Sequence, residues 1–118
     1  MASQQFEKHL TPNDITRKFS VPTAWLDAMP EFGEGRHEVI LRVVDGVGFS
    51  WELTCVVRNK GVYKKPVLQS AQWLSFVNAK SLVAGDKIVF YREVNAFRGS
   101  QYRFRAQKLD AYGNWTDV

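Results

Sequence analysis

Short segments of alternating apolar and polar residues, cut apart by turn signals, constrain this chain more than any other feature. Turn residues stand at Asp45-Gly46, at Asn59-Lys60-Gly61, at Ala84-Gly85-Asp86 and, with Arg98 and Gly99, across residues 95–100. Between them the side chains alternate. Val39, Leu41 and Val43 share one face of HEVILRVVD, with Ile40 and Val44 on the other. Trp51, Leu53, Cys55 and Val57 share one face of FSWELTCVV, and Tyr102, Phe104 and Ala106 one face of YRFRAQKL, with Arg103 and Arg105 opposite. Alternation is the period of a half-buried strand, because successive Cβ atoms leave a strand on opposite sides. Many short strands joined by tight turns close into a barrel or stack as a sandwich, so the chain is expected to be mainly β.

Two segments break the alternation. In TAWLDAM, residues 23–29, Trp25, Leu26 and Met29 recur at spacings of three and four, which is the stripe of a short helix; Thr23 stands near its cap and Pro30 ends it. Trp73, Phe76 and Val77 have the same spacing, with Lys80 on the next turn, and predict a second helix whose aromatic residues are core rather than platforms for bases. Thr11 suits a cap and Pro12 a first helical position, so residues 11–14 read as a turn or a helix start. Strands are also expected at QFEKHL, FSVP, KIVFYREV (with Ile88 and Phe90 facing in) and VYKKPVLQ. Pro66 cannot donate to a ladder, so the last of these belongs at an edge or a bulge. In the tail, Tyr112 and Trp115 pack along an edge or stay loose.

A length of 118 residues suits a single domain, residues 1–118, with its own core. No apolar run approaches the roughly 20 residues needed to cross a bilayer, and MASQQFEKH lacks the apolar stretch of a signal peptide. Cys55 is the single cysteine, on an apolar strand face, and reads as an inert core thiol. One Cys with His9 and His37 cannot make a zinc finger, and neither His stands where it would serve a serine or cysteine nucleophile. Glu31, Glu34 and Glu38 read as a solvated acidic loop that would face away from phosphate. No catalytic site, metal or cofactor is expected.

The net charge of +4 is not spread evenly. Residues 1–52 hold eight acids against five bases, and residues 86–118 four against six. Residues 53–85 hold Arg58, Lys60, Lys64, Lys65 and Lys80 and no Asp or Glu. A solvated surface normally intersperses both signs, so an acid-free stretch with Tyr63 and amides beside it points to a polyanion, most commonly nucleic acid.

The same stretch carries a resemblance. QWLSFVNAKSLVAGDKIVFYRE resembles the helix, turn and strand of the plant B3 DNA-binding domain in Trp73, Phe76, Val77, Leu82, Gly85, Asp86 and Phe90. The opening, FEKHLTPNDITRKFSVPTAW, is similar to the family's in Phe6, Lys8, Leu10, Thr11, Asp14, Val21 and Pro22, and Asp45, Gly46 and Trp51 fit its middle. The resemblance implies a seven-stranded open β-barrel, or pseudobarrel, with two short α-helices. It implies two arms that straddle the major groove of double-stranded DNA, and a transcription factor or transcriptional regulator of the plant nucleus. Arg17 and Lys18 fall at the tip of the first arm, where the family's auxin response factors carry His-Gly-Gly. Before Trp73 this chain has Ser70-Ala71-Gln72 in place of the family's frequent Thr-x-Gly. Two other roles go with the same fold: the DNA-recognition module of a restriction endonuclease, and a protein-interaction module.

A two-stranded ribbon fits the major groove, about 12 Å wide. The DNA-binding candidates are therefore Arg17, Lys18 and Ser20 on the first arm and Arg58, Asn59, Lys60, Tyr63, Lys64, Lys65, Gln69 and Ser70 on the second. Arg58 can fork onto a guanine edge and Asn59 or Gln69 onto adenine, each good pair giving roughly 1 to 3 kcal/mol of discrimination. Lys64 and Lys65 point to opposite faces of a strand, so one reaches inwards while the other follows the backbone. Ser70 and nearby amides suit phosphate. If about four of the six cations neutralise phosphates, log K falls with log salt at a slope near −3.6. Two or three base contacts specify only a short site, and a homodimer or a protein partner would add selectivity. No membrane partner is expected.

Overall fold

The computed structural model describes residues 5–32, 37–57, 66–97 and 100–118. Seven strands make one sheet, curled into half a barrel. Its order runs β1 (Phe6–His9), β5 (Lys87–Phe97), β6 (Ser100–Leu109), β2 (Glu38–Val44), β3 (Ser50–Val57), β4 (Pro66–Leu68), while β7 (Trp115–Asp117) pairs with β6. All neighbours are antiparallel except β2 and β6, which meet in parallel at Val43–Tyr102 and Val44–Arg103. The turn readings at Asn59-Lys60-Gly61 and Arg98-Gly99, and Glu34 of the acidic loop, lie outside the described residues.

The alternation read from the sequence is the alternation observed. Leu41, Val43, Leu53, Cys55, Ile88, Phe90, Phe104 and Ala106 are buried, whereas Ile40 on the reverse of β2 is exposed. Helix α2 (Ser70–Lys80) lays Trp73, Phe76 and Val77 on this concave face. Trp73 lies 4.7 Å from Phe19 between ring centres, Phe76 5.4 Å from Phe104, and Trp25 5.4 Å from Phe90. Each such pair contributes about 0.5–1.5 kcal/mol beyond the area it buries. Pro66 lies in β4, the last strand of the sheet path, as a residue without an N–H requires.

Three local readings change. The helix expected at 23–29 is a 3-10 helix, Thr23–Ala28, with Pro22 rather than Thr23 at its N-cap. Between Pro22 and Pro30 only a short span is free to coil, and i→i+3 bonds such as Trp25 N to Pro22 O close it. The second α-helix of the fold is instead α1 (Pro12–Thr16), capped by Thr11. FSVP contributes one bridge, Ser20 to Val67, rather than a strand: Val21 N donates to Pro66 O, but Pro66 has no N–H to return the bond, and the chain then turns into the 3-10 helix. The tail resolves differently for its two aromatics: Trp115 enters β7 and packs on His9, while Tyr112 is exposed.

The β2–β3 turn is built on a buried acid. Asp45 Oδ1 accepts from Val47 N and Phe49 N, both at 3.0 Å, and Oδ2 from Trp51 Nε1 at 2.8 Å. Lys80 closes the site, its Nζ 2.6 Å from Asp45 Oδ2. Lys80 therefore does not belong to the basic patch in which its place in the sequence put it. Gly46 is required here for room: a Cβ at that position would come within 2.5 Å of Asp117 Cγ.

Candidate nucleic-acid interface

The loop bearing Arg17 and Lys18 is fixed on both sides. On its N-terminal side a capping box starts α1: Asp14 N donates to Thr11 Oγ1 (3.1 Å) and Thr11 N donates to Asp14 Oδ2 (2.9 Å). Trp73 Nε1, reaching from α2, donates to the Asp14 carbonyl at 2.7 Å. On the C-terminal side Phe19 is wholly buried against Trp25, Trp73 and Phe104. Leu68 N donates to Phe19 O and Val21 N to Pro66 O, which seats the segment along β4. Lys8 ties the two sides together, donating from Nζ to Asp14 Oδ1 (3.0 Å) and to Ser20 O (2.7 Å).

Between these anchors Arg17 is exposed and Lys18 half-buried. Among the described residues, neither side chain makes an ion pair or a hydrogen bond. The other cations near a carboxylate contrast with them. Lys8 pairs with Asp14, Arg42 with Glu52, Lys80 with Asp45, Lys87 with Glu7, Arg105 with Asp117 and Lys108 with Asp86. Among the described residues the fold thus supplies carboxylates to these six and none to the loop's two.

Ser20 is exposed and bridges Val67. The same antiparallel register carried two steps further sets Lys18 across from Gln69. Gln69 and Ser70, both exposed, open α2, and no side chain caps that helix start. Its first amides therefore remain available to an acceptor, as helix N-termini are. Arg17, Lys18, Ser20, Gln69 and Ser70 are in this way brought to adjoining backbone. Arg58, Asn59, Lys60, Tyr63, Lys64 and Lys65 lie outside the described residues. The chain enters that segment after Val57 and leaves it before Pro66, and those two residues are register partners of β3 and β4. Among the described residues no group of His, Cys, Asp and Glu could hold a metal ion.

A family model, the B3 DNA binding domain, matches residues 6–107. The chain belongs to the B3 DNA-binding domain family. Among solved structures, this B3 domain is similar to the Arabidopsis FUS3–DNA complex, with a TM-score of 0.70 at 25% identity over 87% of this chain and 95% of that one. Two further likenesses show the fold alone. The Arabidopsis thaliana transcription factor LEC2–DNA complex gives a TM-score of 0.70 at 15% identity, over 90% of this chain and 96% of that one. A hypothetical Arabidopsis thaliana protein gives 0.59 at 16%, over 89% and 90%. No curated protein sequence gives a significant match.

Sequence reasoning named the candidate contacts, but gave Lys8, Asp14 and Trp73 only as residues of the family resemblance and not as supports of the loop. Lys8, Asp14 and the indole N–H of Trp73 hold the loop, and only the Thr11-x-x-Asp14 spacing advertised one of them. Lys8 and Trp73 reach Asp14 through the fold, across separations that no local pattern spans.

Proposed function

We propose that this B3 domain binds double-stranded DNA in the major groove, through the Arg17–Lys18 loop and the basic segment 58–65, as part of a transcriptional regulator acting in a plant nucleus. The observation that carries the reading is a pair of cations, without a partner among the described residues, on a loop bonded to β4, the strand into which the basic segment leads. Ser20, Gln69 and the uncapped start of α2 add hydroxyl, amide and N–H donors beside them, the donor types that position a protein on phosphate. Membership of a DNA-binding family and likeness to the FUS3–DNA complex support the same reading. Residues 1–118 are taken as one domain, because β7 lies beyond the matched residues 6–107 and still pairs with β6. A homodimer or protein partner would extend the short site that a single copy reads.

The test is a titration of labelled duplexes over a range of salt, with Lys64→Glu/Lys65→Glu beside the unaltered domain. The reading expects a steep salt dependence, loss of duplex binding in the double variant and an unmoved melting temperature. Binding indifferent to salt, or a large loss of stability in the variant, would overturn it.

A further inference from the structure

We propose that Ser20 is a phosphorylation site for a basic-directed protein kinase, and that the phosphate it takes switches the Arg17–Lys18 loop off as a DNA contact. The inference rests on the proposed DNA-binding role of that loop and adds its regulation. The segment reads Arg17-Lys18-Phe19-Ser20-Val21, a hydroxyl with bases three and two residues before it. A kinase whose substrate groove is acidic selects that pattern, because its carboxylates pair with the cations while the hydroxyl lies at the transferring phosphoryl group. Arg17 is exposed, and among the described residues no carboxylate of the domain engages it or Lys18.

Phe19 and Val21 are buried and Ser20 between them is exposed, as alternation along an extended segment requires. Lys18, two residues away, leaves on the same side as Ser20. Among the described residues the Ser20 hydroxyl makes no hydrogen bond. Beside it opens a groove of about 300 Å³, lined by Ser20 with Lys8, Val21, Pro22, Thr23 and Pro66, and the Lys8 ammonium lies 2.7 Å from the Ser20 carbonyl oxygen. In the transfer, Ser20 Oγ attacks the γ-phosphorus of ATP and the bond from that phosphorus to the β–γ bridging oxygen breaks. ADP leaves, and the hydroxyl proton passes to the kinase. The product places about −1.5 to −2 charges and three acceptor oxygens among Lys8, Arg17 and Lys18. Those cations then face a phosphate of the protein's own, and an approaching DNA phosphate meets a like charge. Transfer needs a local opening: Phe19 must leave the core, and the bonds from Leu68 N to Phe19 O and from Val21 N to Pro66 O must part. Duplex held on the loop opposes that opening, and by linkage a phosphate on Ser20 opposes the duplex.

The test incubates the whole chain with ATP and a kinase selective for Arg three residues before the acceptor, maps the phosphate by peptide mass, and then titrates duplex. Ser20 is expected to take the phosphate, and Ser20→Ala to carry none at that position. Arg17→Gln should take it on the order of tenfold more slowly, the worth of one charge-assisted pair. Saturating duplex should slow the transfer as well. The phosphorylated domain should bind duplex more weakly by roughly one to two orders of magnitude at 0.1 M salt, with a salt slope shallower by about 1.8, because Arg17 and Lys18 are neutralised. Its melting temperature should not fall, since the phosphate stands in solvent beside cations. A Ser20 left bare by the kinase would overturn the inference, and so would a phosphorylated domain that binds duplex as the unmodified one does. Weaker binding with a lower melting temperature would overturn it too, by making the phosphate a lesion of the fold. If the unmodified domain bound no duplex, the DNA-binding reading itself would fall; salt-dependent binding by the unmodified domain with Ser20 unlabelled would remove only the switch.

Discussion

Lys80, on the last turn of α2, and the Arg17–Lys18 pair, just past α1, carry the same kind of charge and meet opposite fates. Lys80 is buried, 2.6 Å from an Asp45 carboxylate that already accepts from Trp51, Val47 and Phe49. Arg17 and Lys18 have no carboxylate among the described residues. By charge tally alone Lys80 would be the better candidate, since it sits in an acid-free stretch while Arg17 follows shortly after Asp14. What separates them is the fold. The β2–β3 turn delivers Asp45 to the end of α2, whereas Asp14 is turned inwards and taken up by Lys8 and Thr11. A cation is available to a polyanion only if folding leaves it without an acid, and a tally of charges along the chain does not report that.

The largest expected effect breaks the structural side of this contrast. Lys80→Met leaves Asp45 charged, buried and without its counter-ion, and should destabilise the domain by about 3–5 kcal/mol, read as a lower urea midpoint with an unchanged m-value. The folded fraction should bind duplex with the same salt slope as the unaltered domain. A shallower slope would mean that Lys80 contacts phosphate and that the contrast is false.

Next comes the functional side. Arg17→Gln/Lys18→Gln removes one exposed and one half-buried charge that nothing in the described fold uses, so stability should stay within about 0.5 kcal/mol. If both cations neutralise phosphates, the salt slope becomes shallower by about 1.8, which weakens binding by roughly one to two orders of magnitude at 0.1 M salt. An unaltered slope with a lower melting temperature would assign these residues to the fold.

A smaller effect belongs to Asp45 alone. Burial pushes its carboxyl up, but donors from Lys80, Trp51, Phe49 and Val47 together prevail and hold it below its ordinary value of 3.8. A group more acidic in the native state than in the unfolded one contributes fully above the unfolded value and loses that contribution as pH falls through the native one. Urea midpoints should therefore decline below about pH 4, and the part due to Asp45 should be smaller in Lys80→Met, which has lost a donor. A decline of equal size in both would place the acid sensitivity elsewhere.

Much of the fold was legible because strand alternation is local. Leu41 with Val43, Phe104 with Ala106, and the Trp73, Phe76 and Val77 stripe were all assigned to the core by spacing alone. Failures came where a decision was made at a distance. FSVP has the composition of a strand, but the adjoining 3-10 helix leaves it a single bridge. WTD at residues 115–117 is too short to show a period and becomes a strand only because β6 offers it an edge. For the candidate interface, Arg17 and Lys18 were legible as bases on an arm, Gln69 as an amide suited to adenine and Ser70 as a hydroxyl suited to phosphate. Their assembly was not, since it depends on residues 8, 14, 20, 67 and 73 meeting.

Cys55 offers the most sensitive way to keep the two kinds of cation apart, with the smallest expected effect in the native protein. It is wholly buried, in register with Leu68 of β4, and burial pushes its thiol up to about 11. At pH 8 about one thiol in a thousand would be ionised even with access, and the thiolate is the nucleophile. A thiol reagent should therefore leave the folded domain unlabelled and react only as the chain opens. Labelling should speed up in Lys80→Met in proportion to its unfolded fraction, because that variant shifts the folding equilibrium. It should not change in Arg17→Gln/Lys18→Gln, whose loss is confined to DNA. Equal labelling rates in the two variants would show that both sets of cations act through stability, and the distinction between a paired and an available charge would not hold in this domain.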